Sequence, residues 1–438
     1  MIGRDERFSH VVIDNPKVYS DVTTQRESRL FPYYAGYANQ FAKNIISSMR
    51  LSNESVILDP WNGSGTTTLA ATQLGYQALG QDLNPAMVLV AKAALLPRTE
   101  ASSLMPIALS IIEKCKSNCG VEINDDPLTA WLSPQSATFI RSIEENINKM
   151  LLSHYSYEPL TSKKSLDKAS SLCAIFYVSL FRAVRRLLAG FIPTNPTWVK
   201  SPSTPQQRLR PSEKTVVDAF LAEISTLSSR LSIESIYTKK MDSSAITLGN
   251  AESLSLPEQS VNAVISSPPY CTRIDYAVAT SIELALLRLT KKEFDSIRRS
   301  LMGASTVHPY YLPTSKKWGA TCMDFLERVH DHPSKASSTY YYKSHLQYFN
   351  SLKNSVDEIA KVLCREGSCI LVVQDSYYKD VHNDVARITT EMAEDAGFHL
   401  ELQKDFQTGR SMVGLNKKAK TYLTKRTTTE SVLCFIKK

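Results

Sequence analysis

The 438-residue sequence lacks the features of a membrane protein, a disulfide-rich secreted protein or a repeat protein. Its longest apolar run, residues 172–181, is too short to cross a bilayer and ends at Arg182. No apolar signal segment opens the chain, and no short repeat or low-complexity tract is visible. The eight cysteines do not have the spacing of zinc ligands, so we predict reduced, mostly buried thiols and no metal site. Together these absences favour a cytoplasmic, membrane-free protein of two or three domains.

Positive charge is concentrated in two segments, although the formal net charge is only +8. Residues 404–438 contain nine basic and two acidic residues, and residues 182–214 contain seven basic residues and one acidic residue. This concentration suits a phosphate backbone, whose binding depends on counterion release, while a solvated basic surface is the alternative. The predicted nucleic-acid contacts are Lys200, Arg208, Arg210, Arg410, Lys417 and Lys418.

A strand, a glycine turn and a helix are predicted over residues 56–74, which read VILDPWNGSGTTTLAATQL. Glycines let the backbone approach a ligand, and the helix N-terminus presents unpaired N–H groups. A second strand ends at Asp82, roughly 20 residues further on, where nucleotide-binding units place an acidic residue against a ribose hydroxyl. Thr66 stands where a P-loop needs lysine, and Thr68 replaces the third glycine of the dinucleotide motif. A cofactor with a ribose but no phosphate chain, such as S-adenosylmethionine, fits better; an ordinary structural crossover is the alternative.

A second motif, SPPY at residues 267–270, follows the strand-like run VNAVIS. The Ser267 hydroxyl and the Pro268 carbonyl can accept the two hydrogens of an exocyclic base amine, which makes its nitrogen a better nucleophile. Pro268 and Pro269 have fixed φ and therefore aim that carbonyl rigidly. Tyr270 offers a flat face on which an extruded base can stack. The alternative is a strand that ends in a Pro-Pro turn with an aromatic plug.

Together, DPWNGSGTT and SPPY resemble the motifs of the bacterial DNA amino-methyltransferases found in restriction–modification and related defence systems. Trp61 replaces that family's phenylalanine, and the serine form of the second motif is associated mainly with cytosine N4 methylation. The resemblance implies S-adenosylmethionine as cofactor, double-stranded DNA as substrate and a restriction endonuclease or defence-system partner. The catalytic residues that it implies are Ser267, Pro268, Pro269 and Tyr270; the cofactor-binding residues are Tyr33, Asp59, Pro60, Asn62, Gly63, Ser64, Gly65, Thr66, Thr67, Asp82, Asn84, Asn250, Ala251 and Ser267.

The resemblance implies an α/β fold, a Rossmann-like doubly wound methyltransferase sheet with a helical insert domain. Residues 1–99 are the expected cofactor-binding half, and residues 100–240 the helical insert and target-recognition region. Residues 241–438 are the expected catalytic half, with a polar insert at about 290–342. Within the catalytic half, a glycine turn is expected at residues 365–367.

A proline-rich loop in the helical insert carries Lys200, Arg208 and Arg210, which can reach base edges or phosphates. The same loop can also be a packed linker anchored by Trp198. In the polar insert, His308, His330 and His332 are expected at the surface rather than on zinc.

The predicted reaction is methyl transfer from S-adenosylmethionine to the exocyclic amino group of a flipped base, with cytosine N4 as the favoured target. Three alternatives stay open: an N6-adenine DNA methyltransferase, an RNA base amino-methyltransferase, and a catalytically silent DNA-binding subunit.

Overall fold

The computed structural model describes residue 8 and residues 11–17, 30–32, 36–116, 125–153, 156–193, 198–234, 244–272, 274–307, 312–408 and 428–438. A central sheet dominates these residues, and helices pack on both of its faces. The strands are β1 (Val56–Asp59), β2 (Gln77–Asp82), β3 (Ala245–Leu248), β4 (Val261–Ser266), β5 (Leu363–Gln374), β6 (Ser376–Tyr378), β7 (Val381–Asn383), β8 (Phe398–Thr408) and β9 (Thr428–Lys437).

Fourteen α-helices lie in the described part of the chain. They are α1 (Asn39–Ser48), α2 (Thr66–Gln73), α3 (Pro85–Ala94), α4 (Leu104–Lys116), α5 (Pro134–Asn148), α6 (Lys163–Lys168), α7 (Ser171–Leu187), α8 (Glu213–Glu234), α9 (Tyr276–Ala279), α10 (Ser281–Leu286), α11 (Lys291–Ser300), α12 (Ala320–Asp331), α13 (Tyr342–Val362) and α14 (Val385–Asp395). As the sequence predicts, α2 ends at a left-handed glycine, since Gly75 has a φ of 86°.

Seven strands form one sheet in the order β3-β2-β1-β4-β5-β9-β8, and β6 pairs with β7 in a separate ribbon. Strands β1 to β5 are parallel to one another, whereas β9 runs antiparallel to both β5 and β8. The chain order reverses between β1 and β4, which makes their carboxyl ends the topological switch point of the sheet. The predicted doubly wound α/β sheet is confirmed.

The sheet is buried on both faces because successive side chains of its central strands point to opposite sides. In β1, Ile57 packs on the side of α1 and α2, whereas Leu58 packs on the side of α12 to α14. In β4, Ile265 and Val264 divide in the same way. These strands therefore read as continuous apolar runs rather than as alternating ones.

The helices between β2 and β3 share one apolar core with α3 and α10. The fully buried Leu89 of α3, Phe176 of α7, Phe220 of α8 and Ile282 of α10 are members of this core. The two longest helices between β2 and β3 are α7, with 17 residues, and α8, with 22 residues. The insert therefore forms a layer against the sheet's own helices.

One predicted turn is wrong. Residues 365–367 lie within β5, where the register with β4 shifts between Val261, paired with Leu363, and Ala263, paired with Ser368. Glu366, with a φ of 58°, adopts the left-handed conformation that the turn was expected to give to Gly367. The chain thus absorbs the extra residues as an irregularity in the strand.

None of the described helices combines the length and the apolar character that crossing a membrane requires.

Candidate active site at the carboxyl ends of β1 and β4

A cleft of about 960 Å³ opens at the switch point of the sheet. Segments that are far apart in the sequence form its walls: the turn after β1, the end of β2, the loops after β3 and β4, and the end of α11. Clefts that hold small molecules have this location in open α/β sheets. The lining residues are Gly36, Tyr37, Asp59, Pro60, Trp61, Asn62, Gly63, Ser64, Thr66, Thr67, Asp82, Leu83, Asn84, Gly249, Asn250, Ala251, Glu252, Ser267, Pro268, Pro269, Tyr270, Tyr276, Ser300, Leu301, Met302 and Ser355.

Asp59 ends β1 and stabilises the start of the glycine turn through hydrogen bonds to its side-chain carboxylate. Its carboxylate accepts hydrogen bonds from Ser266 Oγ at 2.5 Å, Thr67 Oγ1 at 2.5 Å and Trp61 N at 3.2 Å. Thr67 Oγ1 also lies 2.6 Å from the hydroxyl of Tyr37. Burial raises the pKa of Asp59 to about 6, although the bonds from Ser266 and Thr67 oppose the shift. Asp59 is therefore mostly ionised at pH 7 and ties β1, β4 and α2 to one point.

Asp82 ends β2 and is hydrogen-bonded directly to the glycine turn. Its Oδ2 accepts from Gly63 N at 2.8 Å, and its Oδ1 accepts from Asn84 N at 2.8 Å. Burial raises the pKa of Asp82 to about 6. Each carboxylate oxygen accepts one N–H and keeps lone pairs for further donors. Two acceptors at a cleft wall suit the two hydroxyls of a ribose.

Asn62 presents a donor that no described group satisfies. The residue is only 4% exposed; its Oδ1 accepts from Thr68 Oγ1 at 3.1 Å, while its Nδ2 has no partner within the described residues. A Cβ at Gly80 would lie 2.6 Å from Asn62 Cγ, so the absence of a side chain there makes room for the amide. A buried, unpaired donor on a cleft wall is costly unless a ligand supplies the acceptor. With Asp82 it fits a nucleoside whose amino-acid chain ends in a carboxylate, as S-adenosylmethionine's does.

Ser267 stands one residue beyond β4, and its hydroxyl donates to the carbonyl of Val372 in β5 at 3.0 Å. That bond uses the serine's single proton and leaves its lone pairs available as acceptors. The next carbonyl, that of Pro268, accepts no hydrogen bond from the described residues. The carbonyl of Pro269 accepts from the hydroxyl of Tyr348 at 2.9 Å, which fixes the Pro-Pro segment. Two acceptors therefore remain available beside each other in the cleft wall.

Tyr270 lines the cleft, and its hydroxyl donates to the buried carboxylate of Glu430 in β9. Burial raises the pKa of the Tyr270 hydroxyl well above its ordinary value, and the charge of Glu430 raises it further. The hydroxyl therefore stays protonated and remains a donor. The ring is held at its far end while it forms part of the cleft wall.

The cleft brings together most of the residues that the sequence singled out. All four SPPY residues and all the predicted cofactor-binding residues except Tyr33 and Gly65 line it. Tyr33 lies outside the described residues. Gly65 has a φ of 83° at the start of α2, and a Cβ there would lie 2.9 Å from that of Ala91, so packing explains the glycine.

Several cleft residues were not predicted from the sequence. Tyr37 precedes α1, and Leu301 and Met302 follow α11. These residues reach the cleft through the fold alone.

The predicted DNA contacts divide into two groups. Arg410, Lys417 and Lys418 lie outside the described residues. Lys200 and Arg210 are exposed and Arg208 is half-buried on a loop that Trp131 anchors, since its Nε1 donates to Lys200 O at 2.8 Å. Trp198, expected as the anchor, is 66% exposed instead.

Part of the basic segment 182–214 has structural partners. Arg182 pairs with Glu223 at 2.6 Å, and Arg186 lies 3.5 Å from the same carboxylate. Arg185 pairs with the buried Glu283 at 2.8 Å. The charge that remains for a phosphate backbone is therefore that of the loop.

Two of the three polar-insert histidines lie in the described structure, and each has a carboxylate partner. His330 Nδ1 lies 2.8 Å from Asp331, and His332 Nε2 lies 2.8 Å from Asp380. His308 lies outside the described residues. Among the described residues, no group of three or more His, Cys, Asp or Glu side chains is arranged to hold a metal.

Comparisons with known proteins agree with this architecture. The sequence model of a family described as DNA methylase matches residues 12–93, which include the glycine turn and Asp82. The chain is 24% identical over 327 residues to the Type II methyltransferase M.BsoBI of Geobacillus stearothermophilus, an alignment that covers 69% of this chain and 62% of that relative. It is 23% identical over 405 residues to the Type II methyltransferase M.AvaI of Nostoc and of Anabaena variabilis, covering 87% of this chain and 81% of theirs.

The alignment with M.BsoBI thus spans less than two thirds of that protein, whereas the alignment with M.AvaI spans most of both chains. The match to the family model, residues 12–93, includes the glycine turn. The sheet around this turn has its cleft at the switch point. The chain is therefore similar to the bacterial DNA amino-methyltransferases, a family whose methyl donor is S-adenosylmethionine.

Proposed function

We propose that this chain methylates the exocyclic amino group of a base in double-stranded DNA, and that the base is cytosine, which gives N4-methylcytosine. The observation that carries the proposal is the pair of acceptors, Ser267 Oγ and Pro268 O, in the cleft wall after β4. Ser267 donates its only proton to Val372 O, and the neighbouring Pro268 carbonyl accepts nothing from the described residues. An amino group has two hydrogens, and this wall offers one acceptor for each.

The acceptors act on the nitrogen's lone pair. In a free base that lone pair is delocalised into the ring, so the amine is a poor nucleophile. Hydrogen bonds to Ser267 Oγ and Pro268 O favour the pyramidal nitrogen, and they strengthen as positive charge develops on it. When bound, S-adenosylmethionine supplies the electrophilic methyl group of its sulfonium. Asp82, Asn62 and the glycine turn would hold it, so positioning of the two reactants contributes much of the rate.

The base has to leave the duplex to reach these acceptors, because they lie inside a cleft. Tyr270 provides an aromatic wall beside Ser267 for the extruded ring. The exposed Lys200 and Arg210, on a loop of the helical insert, are proposed to contact the DNA backbone. The serine in SPPY is the feature that favours cytosine N4 over adenine N6.

The test is transfer of labelled methyl groups from S-adenosylmethionine to whole-genome-amplified bacterial DNA, which carries no methylation, and in parallel to total transfer RNA. Nucleosides from both substrates are then separated by mass spectrometry. We expect N4-methylcytosine in DNA alone. N6-methyladenine would retain the reaction and change the base, label in RNA alone would change the substrate, and no label despite cofactor binding would leave a silent DNA-binding subunit.

The relatives' names describe Type II enzymes, and we propose the same setting for this chain. Its partner would then be a restriction endonuclease whose cleavage the methyl group blocks. A plasmid methylated by this protein should resist an endonuclease of the same specificity, whereas a plasmid exposed to Ser267→Ala protein should be cut.

A further inference from the structure

The aromatic wall of the cleft is held from behind by two charged residues that the sequence motifs do not include. Glu430 Oε1 accepts the hydroxyl of Tyr270 and lies 3.1 Å from Lys17 Nζ. Lys17 Nζ also lies 5.3 Å from the centroid of the Tyr270 ring. Neither Lys17 nor Glu430 is among the residues that line the cleft, whereas Tyr270 is. We call this group the Lys17–Glu430 clamp.

The clamp is anchored on both sides. Glu430 is 1% exposed and pairs with Gln374 across the β5–β9 ladder, and Lys17 Nζ donates to Gln374 Oε1 at 3.1 Å. The segment that carries Lys17 is itself tied to the sheet, since Lys404 Nζ donates to Ile13 O at 2.6 Å. The two charges therefore meet at a fixed place, although more than 400 positions separate them in the sequence.

The contacts of Glu430 point to a specific task. Its side chain makes no hydrogen bond within the described residues except through Oε1, and Oε2 is buried without a partner. A buried carboxylate is costly, and a hydrophobic residue at this position would normally serve the sheet better. The presence of a carboxylate here is explained if its hydrogen bond to the Tyr270 hydroxyl offsets the free-energy cost of burying it. Hydrogen bonds to a charged acceptor are about twice as strong as neutral ones.

The position of Lys17 completes the argument. Its ammonium lies over one face of the Tyr270 ring, where the ring's negative face attracts it. The hydroxyl end and one face of the ring are therefore occupied by the clamp. The ring's remaining surface is the part that is available to the cleft.

We propose that Lys17 and Glu430 are positioning residues that hold Tyr270 as a preset stacking surface for the extruded base. The inference rests on the proposed function, because it needs a base in the cleft. A ring already fixed in its working orientation loses little conformational freedom when the base arrives, so stacking contributes more fully to the reaction. The clamp acts through Tyr270 and does not touch the base.

The test is a double-mutant cycle of Glu430→Ala and Tyr270→Phe, measured as kcat and KM on whole-genome-amplified DNA. Tyr270→Phe keeps the ring and removes the hydroxyl that Glu430 holds. We expect Glu430→Ala to lower kcat about tenfold in the normal chain and less than about twofold in the Tyr270→Phe background. The dissociation constant of S-adenosylmethionine, measured by calorimetry, should stay unchanged in all variants.

Three further variants separate positioning from stability. Glu430→Gln keeps an acceptor for the hydroxyl and should retain most of kcat, while Lys17→Met should lower kcat in the same direction as Glu430→Ala. Glu391→Ala removes a carboxylate that bonds Thr321 and Arg387 away from the cleft, so it should lower Tm without changing kcat. If Glu430→Ala fails to fold, the cycle is run with Glu430→Gln and Lys17→Met instead.

Equal losses from the Glu430 substitution in both backgrounds, in an enzyme that methylates DNA, would overturn the clamp and leave the proposed function intact. So would a loss of kcat that only follows the loss of Tm, with Glu391→Ala losing kcat in the same proportion to its own loss of Tm. Absence of any methyl transfer to DNA by the unaltered protein would overturn both proposals, since Tyr270 would have no base to hold.

Discussion

Two carboxylates, the buried Asp59 and the half-buried Asp82, end adjacent strands, and desolvation raises the pKa of both to about 6. Their hydrogen-bond partners differ. Asp59 bonds the protein's own hydroxyls from Ser266 and Thr67, whereas within the described residues Asp82 accepts from two backbone N–H groups, those of Gly63 and Asn84. Asp59 is therefore a structural tie, and Asp82 keeps acceptor capacity for a ligand.

We expect Asp82→Asn to raise the dissociation constant of S-adenosylmethionine about tenfold or more at pH 7. The substitution removes the negative charge and replaces one of the two carboxylate oxygens with an NH₂ group, which cannot accept a hydrogen bond. In the unaltered protein the same constant should rise as the pH falls from 7 to 5. The reason is that a carboxyl group with a raised pKa takes up its proton near pH 6 and becomes a weaker acceptor. Calorimetric titration over pH 5–8 measures both effects.

In Asp82→Asn this pH dependence should shrink to the part that Asp59 contributes. Identical affinity and an identical pH profile in the variant would remove Asp82 from the binding site.

Ser267→Ala should lower kcat about 100-fold, because the cleft loses one of the two acceptors for the amine. Cofactor affinity should not change, since Ser267 bonds Val372 O and not the residues around Asp82. The matched control is Ser260→Ala at the other end of β4, whose hydroxyl bonds Pro257 O. Single-turnover kinetics and calorimetry measure the two quantities, and equal kcat in both variants would contradict a role for the Ser267 hydroxyl.

At the scale of elements, the sequence predicted those parts of the site that are encoded locally. The β1–turn–α2 unit and the strand before SPPY each lie within about 20 residues, so glycine chemistry and apolar runs reveal them. Asp82 was found in the same way, through its distance from the turn. The glycine turn expected at residues 365–367 was wrong, because these residues lie inside β5, where an irregular ladder accommodates them.

Contacts between distant segments were beyond such patterns. Lys17 and Glu430 meet at Tyr270 only because β9 pairs with β5 and the N-terminal segment packs on β8. Leu301 and Met302 reach the cleft because they follow α11, which ends beside it. The periodicity of a single sequence does not indicate which loops share a cleft, so these residues could be identified only from the structure.

The loop around Arg210 is an element whose role can be measured separately. Leu209 N donates to Trp131 O at 2.9 Å and Ser133 N to Leu209 O at 2.8 Å, so the loop holds the exposed cation on a fixed support. If Arg210 contacts a phosphate, Arg210→Ala should weaken DNA binding several-fold and reduce the slope of log K against log salt by about 1.

Fluorescence anisotropy at several salt concentrations, with random-sequence duplex DNA, measures that slope. The control is Lys291→Ala on α11, which removes an exposed cation already paired with Asp295 at 3.0 Å. A slope that changes equally in both variants would assign the effect to net charge rather than to the loop.

At the scale of the whole molecule, buried ion pairs join the helices between β2 and β3 to the helices that follow β4. Arg185 of α7 forms two bonds to Glu283 of α10, at 2.8 and 2.9 Å, and Glu283 is fully buried. Arg141 of α5 donates to the carbonyls of Ala285 and Leu286 beside it. Together with the shared apolar core, these contacts predict that insert and sheet unfold in one transition.

Replacing one partner of the buried Arg185–Glu283 pair tests whether these contacts stabilise the whole protein. Arg185→Leu leaves the Glu283 carboxylate buried without its cation, so we expect a loss of about 3–5 kcal/mol in the free energy of unfolding. The double variant Arg185→Leu, Glu283→Leu removes both charges and should lose much less than the single variant. Lys214→Ala, which breaks an exposed pair with Asp218, should cost less than about 1 kcal/mol.

Urea unfolding followed by far-ultraviolet circular dichroism and by tryptophan fluorescence gives these free energies of unfolding. Coincident transitions from both probes would show that the helical insert is part of one cooperative unit, whereas two separate transitions would show that it is stable by itself.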